Sequence, residues 1–230
     1  MAGFKAYASV ILDLCKLRGR LIVGHLPLKE GILVQVQTPQ PHCMEEIKRC
    51  TWVGESDRLM QEYHDKEWGV PLYDDNSIFE FLVLESFQAG LSWRTILNKR
   101  RNFEKAFSNF NPVKVAKFSK KDIARLLKDK GIVRNRAKIE AAINNAQRFL
   151  EVKKEFKTFS RYMWRFVNNK PIINTIKKVS DYKPSSSEAK VWAKDLKKRG
   201  FKFLGPTTLY AHMQAVGMVN DHMLGCFRKK

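Results

Sequence analysis

Apolar side chains recur at helical spacing through most of the chain beyond residue 43. Between Ser77 and Ala89 they are so dense that the segment predicts a buried helix, which Gly90 would end. Ser92 stands just after this break at the position of an N-cap, so the next helix is predicted to begin beside it. No stretch of this region alternates between polar and apolar residues as a half-buried strand does. The pattern therefore favours an all-α fold.

Further helices are predicted by their start and stop signals. Asn111 precedes a proline at a first helical position, and Ser119 with Asp122 has the spacing of a capping box. The segment 136–151 is strongly periodic with one apolar face, which predicts a long amphipathic helix. Shorter helices are expected over 159–167, before Gly200 and over 207–216.

The first 43 residues differ from the rest of the chain. Their apolar segment, 6–23, is interrupted by charged residues, so it does not predict a secretory signal. Residues 35–43 are polar and contain prolines, which is typical of a linker. The stretch MEEIKRC begins at Met44 and has the form of a chain start. We therefore expect an N-terminal extension over 1–43 and one domain over 44–230. The alternative is that Met44 is the biological start and that 1–43 do not belong to the protein.

The charge balance narrows the class of partner. Lysine and arginine number 43 against 23 aspartates and glutamates, which gives a net charge of +20. Such a charge is typical of a protein that binds nucleic acid, with an anionic membrane surface as the alternative. No apolar run reaches the ~18 residues that a membrane-spanning helix needs. The four cysteines are too few for a disulfide framework, which favours a reducing cytoplasm.

A glycine turn between two predicted helices is a candidate DNA contact. Gly131 ends one helix shortly before the next begins, and backbone N–H groups at a helix start can hold one phosphate. Arg134, Arg136 and Lys138 surround this turn. We therefore expect these side chains and Gly131 to contact the DNA backbone. The alternative is an ordinary helical hairpin with a solvated basic face.

Two residue pairs at the ends of the 44–230 domain have side chains that bind metals. Cys50 and His64 lie near its start, and His222 and Cys226 lie near its end. Two thiolates and two imidazoles form a closed tetrahedral zinc site, which is structural because no position remains for water. Pairs with these spacings also arise by chance, so the pattern alone leaves the site open.

Aromatic residues and one carboxylate cluster within a short stretch of sequence. Trp52, Tyr63, Trp68 and Trp93 flank Glu85, a lone charge within an apolar segment. Aromatic rings stack on a nucleobase that has been extracted from DNA, and a carboxylate accepts hydrogen bonds from its N–H groups. A cationic base would be bound more tightly still, because both the ring faces and the carboxylate attract a positive charge. The alternative places Glu85 on the polar side of its helix and the aromatic rings in the core.

Longer runs of residues carry a resemblance to a known family. They are RCTWV, YHDKEWGVP, LESFQAGLSW, KRRNFEKAF, FNPVKVA, GIVRNRAKI, KKRGFKFLGPTTLYAHMQAVGMVNDH and a final GC. On these runs the stretch 44–227 resembles the 3-methyladenine DNA glycosylase I family of the helix-hairpin-helix superfamily. Residues 1–43 lie outside the resemblance.

The resemblance implies an all-α helix-hairpin-helix fold with one structural zinc per chain joining the N- and C-terminal parts of the domain. It makes Cys50, His64, His222 and Cys226 the zinc ligands. It implies an enzyme that flips 3-methyladenine out of double-stranded alkylated DNA and hydrolyses its N-glycosidic bond. The products are an abasic site and free 3-methyladenine. A cytoplasmic bacterial monomer with no membrane partner is expected.

The resemblance also assigns roles around the base. Glu85 is the catalytic carboxylate and a base-binding group, and Tyr63 is a second hydrogen-bond partner of the base. Trp93 is the stacking ring, Trp52 belongs to the pocket wall, and Trp68 is expected to pack in the core.

One departure from the wider superfamily bears on mechanism. Many members carry an aspartate beyond the hairpin that helps water to attack C1′, but residues 141–180 contain none. An N3-alkylated adenine nucleoside is already cationic, so its glycosidic bond is weak and the base leaves as a neutral species. Extraction, selective binding and positioning can then suffice. A non-catalytic DNA-binding module on the same scaffold is the alternative, against which the intact Glu85, Tyr63 and Trp93 argue.

Overall fold

The chain is mostly helical in the part that the structure, a computed structural model, describes, which is residues 47–229. The predicted extension over 1–43 lies outside these residues. The α-helices are α1 Arg58–Lys66, α2 Asp75–Gln88, α3 Trp93–Ala106, α4 Pro112–Val115, α5 Lys120–Lys128, α6 Arg136–Phe156, α7 Phe159–Trp164, α8 Ser187–Lys198 and α9 Pro206–Ala215. Short 3₁₀ segments cover Thr51–Val53, Arg165–Val167 and Val179–Asp181. No helix among residues 47–229 is long and apolar enough to cross a membrane.

The predicted buried helix is α2, and it is the centre of the fold. Almost every residue from Ile78 to Phe87 is buried, and α2 packs against α3, α6, α7 and α9. A helix that is apolar all round is expected in such a position. It begins at Asp75, slightly earlier than the apolar pattern predicted, because the Asp74 carboxylate accepts the Ser77 N–H at 2.8 Å and caps the first turn.

The helix ends follow the predicted local signals. The Ser92 hydroxyl accepts the Thr95 N–H at 3.2 Å at the start of α3. Ser119 and Asp122 form the capping box of α5, in which the Asp122 carboxylate accepts the Ser119 N–H at 2.8 Å. Gly90 follows α2 with φ +81°, a conformation that favours glycine. The turn between α2 and α3 is therefore fixed by local chemistry on both sides.

The expectation that the domain contains no strand was wrong in one place. β1, Ile172–Ile173, pairs in parallel with β2, Val219–Asn220. An isolated bridge joins Ile176 to Met223 in the same direction. Two-residue strands are too short to show an alternating pattern, so they could not be predicted from the sequence. This pairing fixes the backbone directly before His222.

Candidate functional site

The structure brings the four predicted metal ligands together. Their ligand atoms all lie within 4.8 Å of one another, and all four residues are buried. The Cys226 Sγ lies 3.4 Å from His64 Nε2 and 3.6 Å from His222 Nδ1, and Cys50 Sγ lies 3.6 Å from the same Nδ1. Cys50 stands before the first 3₁₀ segment, His64 lies on α1, and the other two follow β2. The cluster can therefore hold a metal ion that joins the first and last parts of the described chain.

Each histidine has one ring nitrogen that faces a hydrogen-bond acceptor outside the cluster, and this acceptor orients the ring for metal binding. The Nδ1 of His64 lies 2.8 Å from the Asp65 carboxylate, which Arg49 holds through hydrogen bonds of 2.7–3.0 Å. The Nε2 of His222 lies 3.1 Å from the Trp68 carbonyl oxygen. A nitrogen that faces an acceptor carries the proton, so the lone pair of the other nitrogen points into the cluster.

Burial keeps the side chains of the cluster in their neutral forms. Burial lowers the pKa of His222 to about 4, and burial lowers the pKa of His64 as well, so both imidazoles are neutral at pH 7. Burial raises the pKa of the Cys50 thiol to about 11 in the absence of an ion. A thiolate there needs an adjacent positive charge, which a metal ion supplies.

Gly69 has no side chain, and this makes room for the ring of His222. Its φ is +75°, and a Cβ atom at this position would lie 2.9 Å from His222 Nε2. Trp68, the residue before it, is 7% exposed, which confirms the expected core packing. In the turn after α1, the Trp68 carbonyl oxygen therefore binds the His222 ring, and Gly69 leaves room for that ring.

A second group of side chains forms a candidate pocket from three helices. Tyr63 lies on α1, Glu85 on α2, and Trp93 is the first residue of α3. The Tyr63 and Trp93 ring centroids are 5.4 Å apart. Phe81, one turn before Glu85, lies 6.5 Å from both rings and is nearly parallel to Trp93, with 20° between the planes. The rings of Tyr63, Phe81 and Trp93 thus face one another, and Glu85 is close enough for its charge to act on Tyr63.

Glu85 is a buried carboxyl group without a compensating partner. It is 3% exposed, and no hydrogen bond or ion pair to it is formed by residues 47–229. Burial raises its pKa to about 8. Burial and the nearby Glu85 charge together raise the pKa of Tyr63 well above its usual value. The Trp93 Nε1 is likewise buried without a hydrogen-bond partner in the described chain. Unsatisfied polar groups in one pocket are costly for folding and indicate a binding site.

Trp52 lies at the metal cluster. Its ring packs edge-on against Trp68 at 4.9 Å and against His64 at 5.4 Å, and it is partly exposed. These contacts place Trp52 beside His64 of α1 and not directly against Trp93. Its role in the pocket wall stays a prediction.

The turn between α5 and α6 has the predicted shape but different chemistry. The Gly131 N–H donates to the Asp129 carboxylate at 2.7 Å, so this N–H already has an acceptor, and the contact of Gly131 with the DNA backbone stays a prediction. Arg134 is exposed, and Arg136 is exposed beside Glu140 at 3.3 Å. The backbone N–H of Arg136, the first residue of α6, has no hydrogen-bond acceptor within residues 47–229. It can therefore donate to another group.

Lys138 corrects the sequence analysis more clearly. Its side chain is 7% exposed, and its ammonium donates to the carbonyl oxygens of Phe87 at 2.9 Å and Ala89 at 2.6 Å. The predicted contact of this side chain with DNA does not fit that position. Through these two hydrogen bonds, Lys138 instead joins the first turn of α6 to the C-terminal end of α2.

The sequence analysis did not single out Leu91. It is 39% exposed in the turn between α2 and α3, after Gly90 and between the helices that carry Glu85 and Trp93. The signal available in the sequence was a leucine next to Gly90, in the predicted turn between two helices. An apolar side chain at this place can enter the base stack of a DNA duplex.

Comparisons with known proteins point in one direction. The profile of the methyladenine glycosylase family matches residues 52–229. DNA-3-methyladenine glycosylase 1 of Escherichia coli K12 is 46% identical over 180 residues, which cover 78% of this chain and 96% of that protein. The DNA-3-methyladenine glycosylase of Haemophilus influenzae is 45% identical over 178 residues, which cover 77% and 96%. The Staphylococcus aureus 3-methyladenine DNA glycosylase I, solved to explain its recognition of 3-methyladenine, has a TM-score of 0.76 and 41% identity, covering 80% of this chain and 97% of that one.

Proposed function

Because this chain belongs to the methyladenine glycosylase family, we propose that it removes 3-methyladenine from alkylated DNA by hydrolysing the N-glycosidic bond. The products are the free base and an abasic site in the duplex. The observation that carries the proposal is the unpaired Glu85 carboxyl group, buried where the aromatic side chains of Tyr63 and Trp93 meet. A site of this kind suits a flat base with a positive charge.

The pocket residues act on the extracted base. Trp93 stacks on its face, and Tyr63 and Glu85 interact with its polar edge. The desolvated Glu85 gives up its proton more readily when a cationic base enters, because the positive charge favours the carboxylate form. The same charge weakens the glycosidic bond, so the base leaves in neutral form when water attacks C1′. Ordinary adenine brings no charge into the pocket and gains none of this stabilisation.

The turn between α5 and α6 is proposed to be the hairpin of a helix-hairpin-helix DNA-binding element. Arg134 and Arg136 are exposed there, and the open N–H at the start of α6 can donate a hydrogen bond to a phosphate oxygen. Lys138 supports this surface from inside by joining it to the end of α2. Leu91 is proposed to fill the space that the flipped base leaves in the stack.

Changing the hairpin is expected to alter affinity without altering damage selectivity. Arg134→Gln should weaken binding of alkylated and undamaged duplex by about the same factor and reduce the salt slope by about one ion. Fluorescence anisotropy at several salt concentrations measures both quantities. Arg161→Gln, an exposed arginine on α7, is the matched control. Wild-type salt slopes in Arg134→Gln would remove this side chain from the interface.

The Cys50, His64, His222 and Cys226 cluster is proposed to hold one structural zinc ion per chain. In a tetrahedral site, Zn–S of about 2.3 Å and Zn–N of about 2.0–2.1 Å place sulfur and nitrogen about 3.5 Å apart. Three of the four S···N separations in the cluster, at 3.4, 3.6 and 3.6 Å, agree with this distance. When bound, zinc supplies a cross-link and no reaction step, since four protein ligands leave no open position.

The domain assignment and location follow from the same proposal. Residues 44–230 are proposed to be the glycosylase domain and 1–43 an extension that excision does not need. DNA as substrate and two cysteine ligands kept as thiolates fit the reducing cytoplasm of a bacterium. A monomer is sufficient, because Tyr63, Glu85 and Trp93 come from one chain.

Incubation with methylated duplex DNA tests the function directly. The full chain is expected to release 3-methyladenine, identified by chromatography and mass spectrometry, and to leave abasic sites in equal number. A chain that begins at Met44 should give the same yield. Binding of the duplex without release of any base would instead identify a non-catalytic DNA-binding module.

A further inference from the structure

An ion-pair cluster lies on the same three helices as the pocket. Arg100 on α3 donates from Nε to the Glu80 carboxylate at 2.7 Å, and from Nη1 to both Glu67 oxygens at 2.7 and 2.9 Å. Glu80 is on α2, and Glu67 directly follows α1. The Arg100 side chain is only 26% exposed. One guanidinium group therefore connects the three helices that separately supply Tyr63, Glu85 and Trp93.

The connections from this cluster to the pocket are short. The Glu67 N–H donates to the Tyr63 carbonyl oxygen at 2.9 Å, so Glu67 is joined to the last turn of α1. The Arg100 guanidinium also lies over the Phe81 ring, 5.3 Å from its centroid. Phe81 in turn faces the Tyr63 and Trp93 rings at 6.5 Å. Arg100 therefore contacts the pocket through its wall.

The chemistry of a guanidinium group suits such a connection. Its planar N–H donors hold two carboxylates in fixed directions, whereas a lysine ammonium group acts as a point charge without this geometry. Three helices that are joined in this way hold Tyr63, Glu85 and Trp93 in a set arrangement relative to one another. A flat base needs this arrangement to be right, because a small displacement of binding groups causes a large loss of rate.

We propose that Arg100 is a positioning residue of the base pocket, acting through Glu67, Glu80 and Phe81 to hold Tyr63, Glu85 and Trp93 in the geometry that binds the flipped base. Arg100 itself does not touch the base. The proposal rests on the proposed glycosylase function.

The test compares Arg100→Gln and Arg100→Lys with Arg101→Gln. Arg101 is the adjacent, exposed residue on α3, so its replacement removes the same charge without breaking the cluster. Arg100→Gln is expected to slow single-turnover release of 3-methyladenine, measured with enzyme in excess, by about tenfold or more. It should weaken binding of free 3-methyladenine by a similar factor, followed by quenching of tryptophan fluorescence. Arg100→Lys should fall between Arg100→Gln and the wild type.

Two further measurements separate positioning from a purely structural role. Affinity for undamaged duplex and metal content should match those of Arg101→Gln, because the hydrogen bonds of the Arg100 side chain go to Glu67 and Glu80 and not to the hairpin or to the four proposed metal ligands. Should Arg100→Gln fail to fold, Glu67→Gln and Glu80→Gln each remove one side of the cluster and are expected to slow release by about threefold to tenfold.

Wild-type release and wild-type affinity for the free base in every folded variant would overturn the proposal, even if their unfolding temperatures fell. Failure of the wild-type protein to release any base would instead overturn the proposed function. The two failures are therefore distinguishable.

Discussion

Replacing Glu85 by Gln is expected to reduce the single-turnover release of 3-methyladenine by about 100-fold or more, the usual effect of removing one preorganised electrostatic group. The carboxylate is desolvated, so its attraction for a cationic base is not weakened by water. Glutamine keeps the shape of the side chain and loses the charge. Binding of undamaged duplex should not change, because the hairpin is intact. Glu104→Gln, at an exposed carboxyl group on α3, is the matched control.

The same substitution is expected to make the protein more stable at alkaline pH. The folded-state pKa of Glu85 is raised from 4.5 to about 8, so between these values the unfolded chain is ionised while the folded chain keeps its proton. Stability from this group is therefore present at low pH and lost as pH rises toward 8. Glutamine has no such loss, and the gain above pH 8 is about 5 kcal/mol.

Urea unfolding at pH 5 and pH 8.5 measures this difference. Wild type and Glu85→Gln should differ little at pH 5 and most at pH 8.5. In the wild type, kcat/KM for excision should rise with pH through about 8, the pKa of Glu85 in the free enzyme, and this rise should be absent from the residual activity of the variant. Equal stability of the two proteins at pH 8.5 would show that the carboxyl group is compensated in solution.

Loss of the metal is expected to have the largest effect on stability. Cys226→Ser removes one ligand from a buried site and leaves a thiol and two imidazoles facing each other without an ion. The free energy of unfolding should fall by about 4 kcal/mol or more, since metal binding to a closed site contributes directly to folding. Thermal unfolding with and without a strong chelator should show the same loss in the wild type.

Elemental analysis completes this experiment. The wild type should carry about one zinc per chain, and Cys226→Ser much less. Cys43→Ser, at a cysteine outside the four proposed ligands, should keep the wild-type metal content and stability. Wild-type protein that is free of metal and indifferent to chelator would contradict the zinc proposal.

Local signals explain which parts of the fold were predicted from the sequence. The cap at Ser92, the capping box at Ser119 and the break at Gly90 depend on residues a few positions apart, and all three are confirmed. The buried character of α2 followed from its apolar density. The two-residue strand pair was missed because its partners lie far apart in sequence and are too short for a pattern.

Long-range contacts explain the errors and omissions at the site. Lys138 is basic and stands in a basic turn, but its ammonium is held by the carbonyl oxygens of Phe87 and Ala89, from a helix much earlier in the chain. Nothing in the sequence distinguishes Arg100 from the other arginines, because its partners Glu67 and Glu80 lie at least 20 residues away and are brought to it only by the fold. The cluster of Cys50, His64, His222 and Cys226 was anticipated because four metal-binding side chains at matching family positions are a rarer signal than one basic residue.

The burial of the metal cluster has a consequence for the conditions under which the protein works. The agents that methylate adenine in DNA are electrophiles, and a cysteine thiolate is a stronger nucleophile than a DNA base. Cys50 and Cys226 are only 2% and 5% exposed, and a metal ion would draw on the electrons that an electrophile attacks. With a metal bound, this arrangement would keep both thiolates away from the reagent whose damage the enzyme removes, and we expect the protein to stay folded during the chemical stress that creates its substrate.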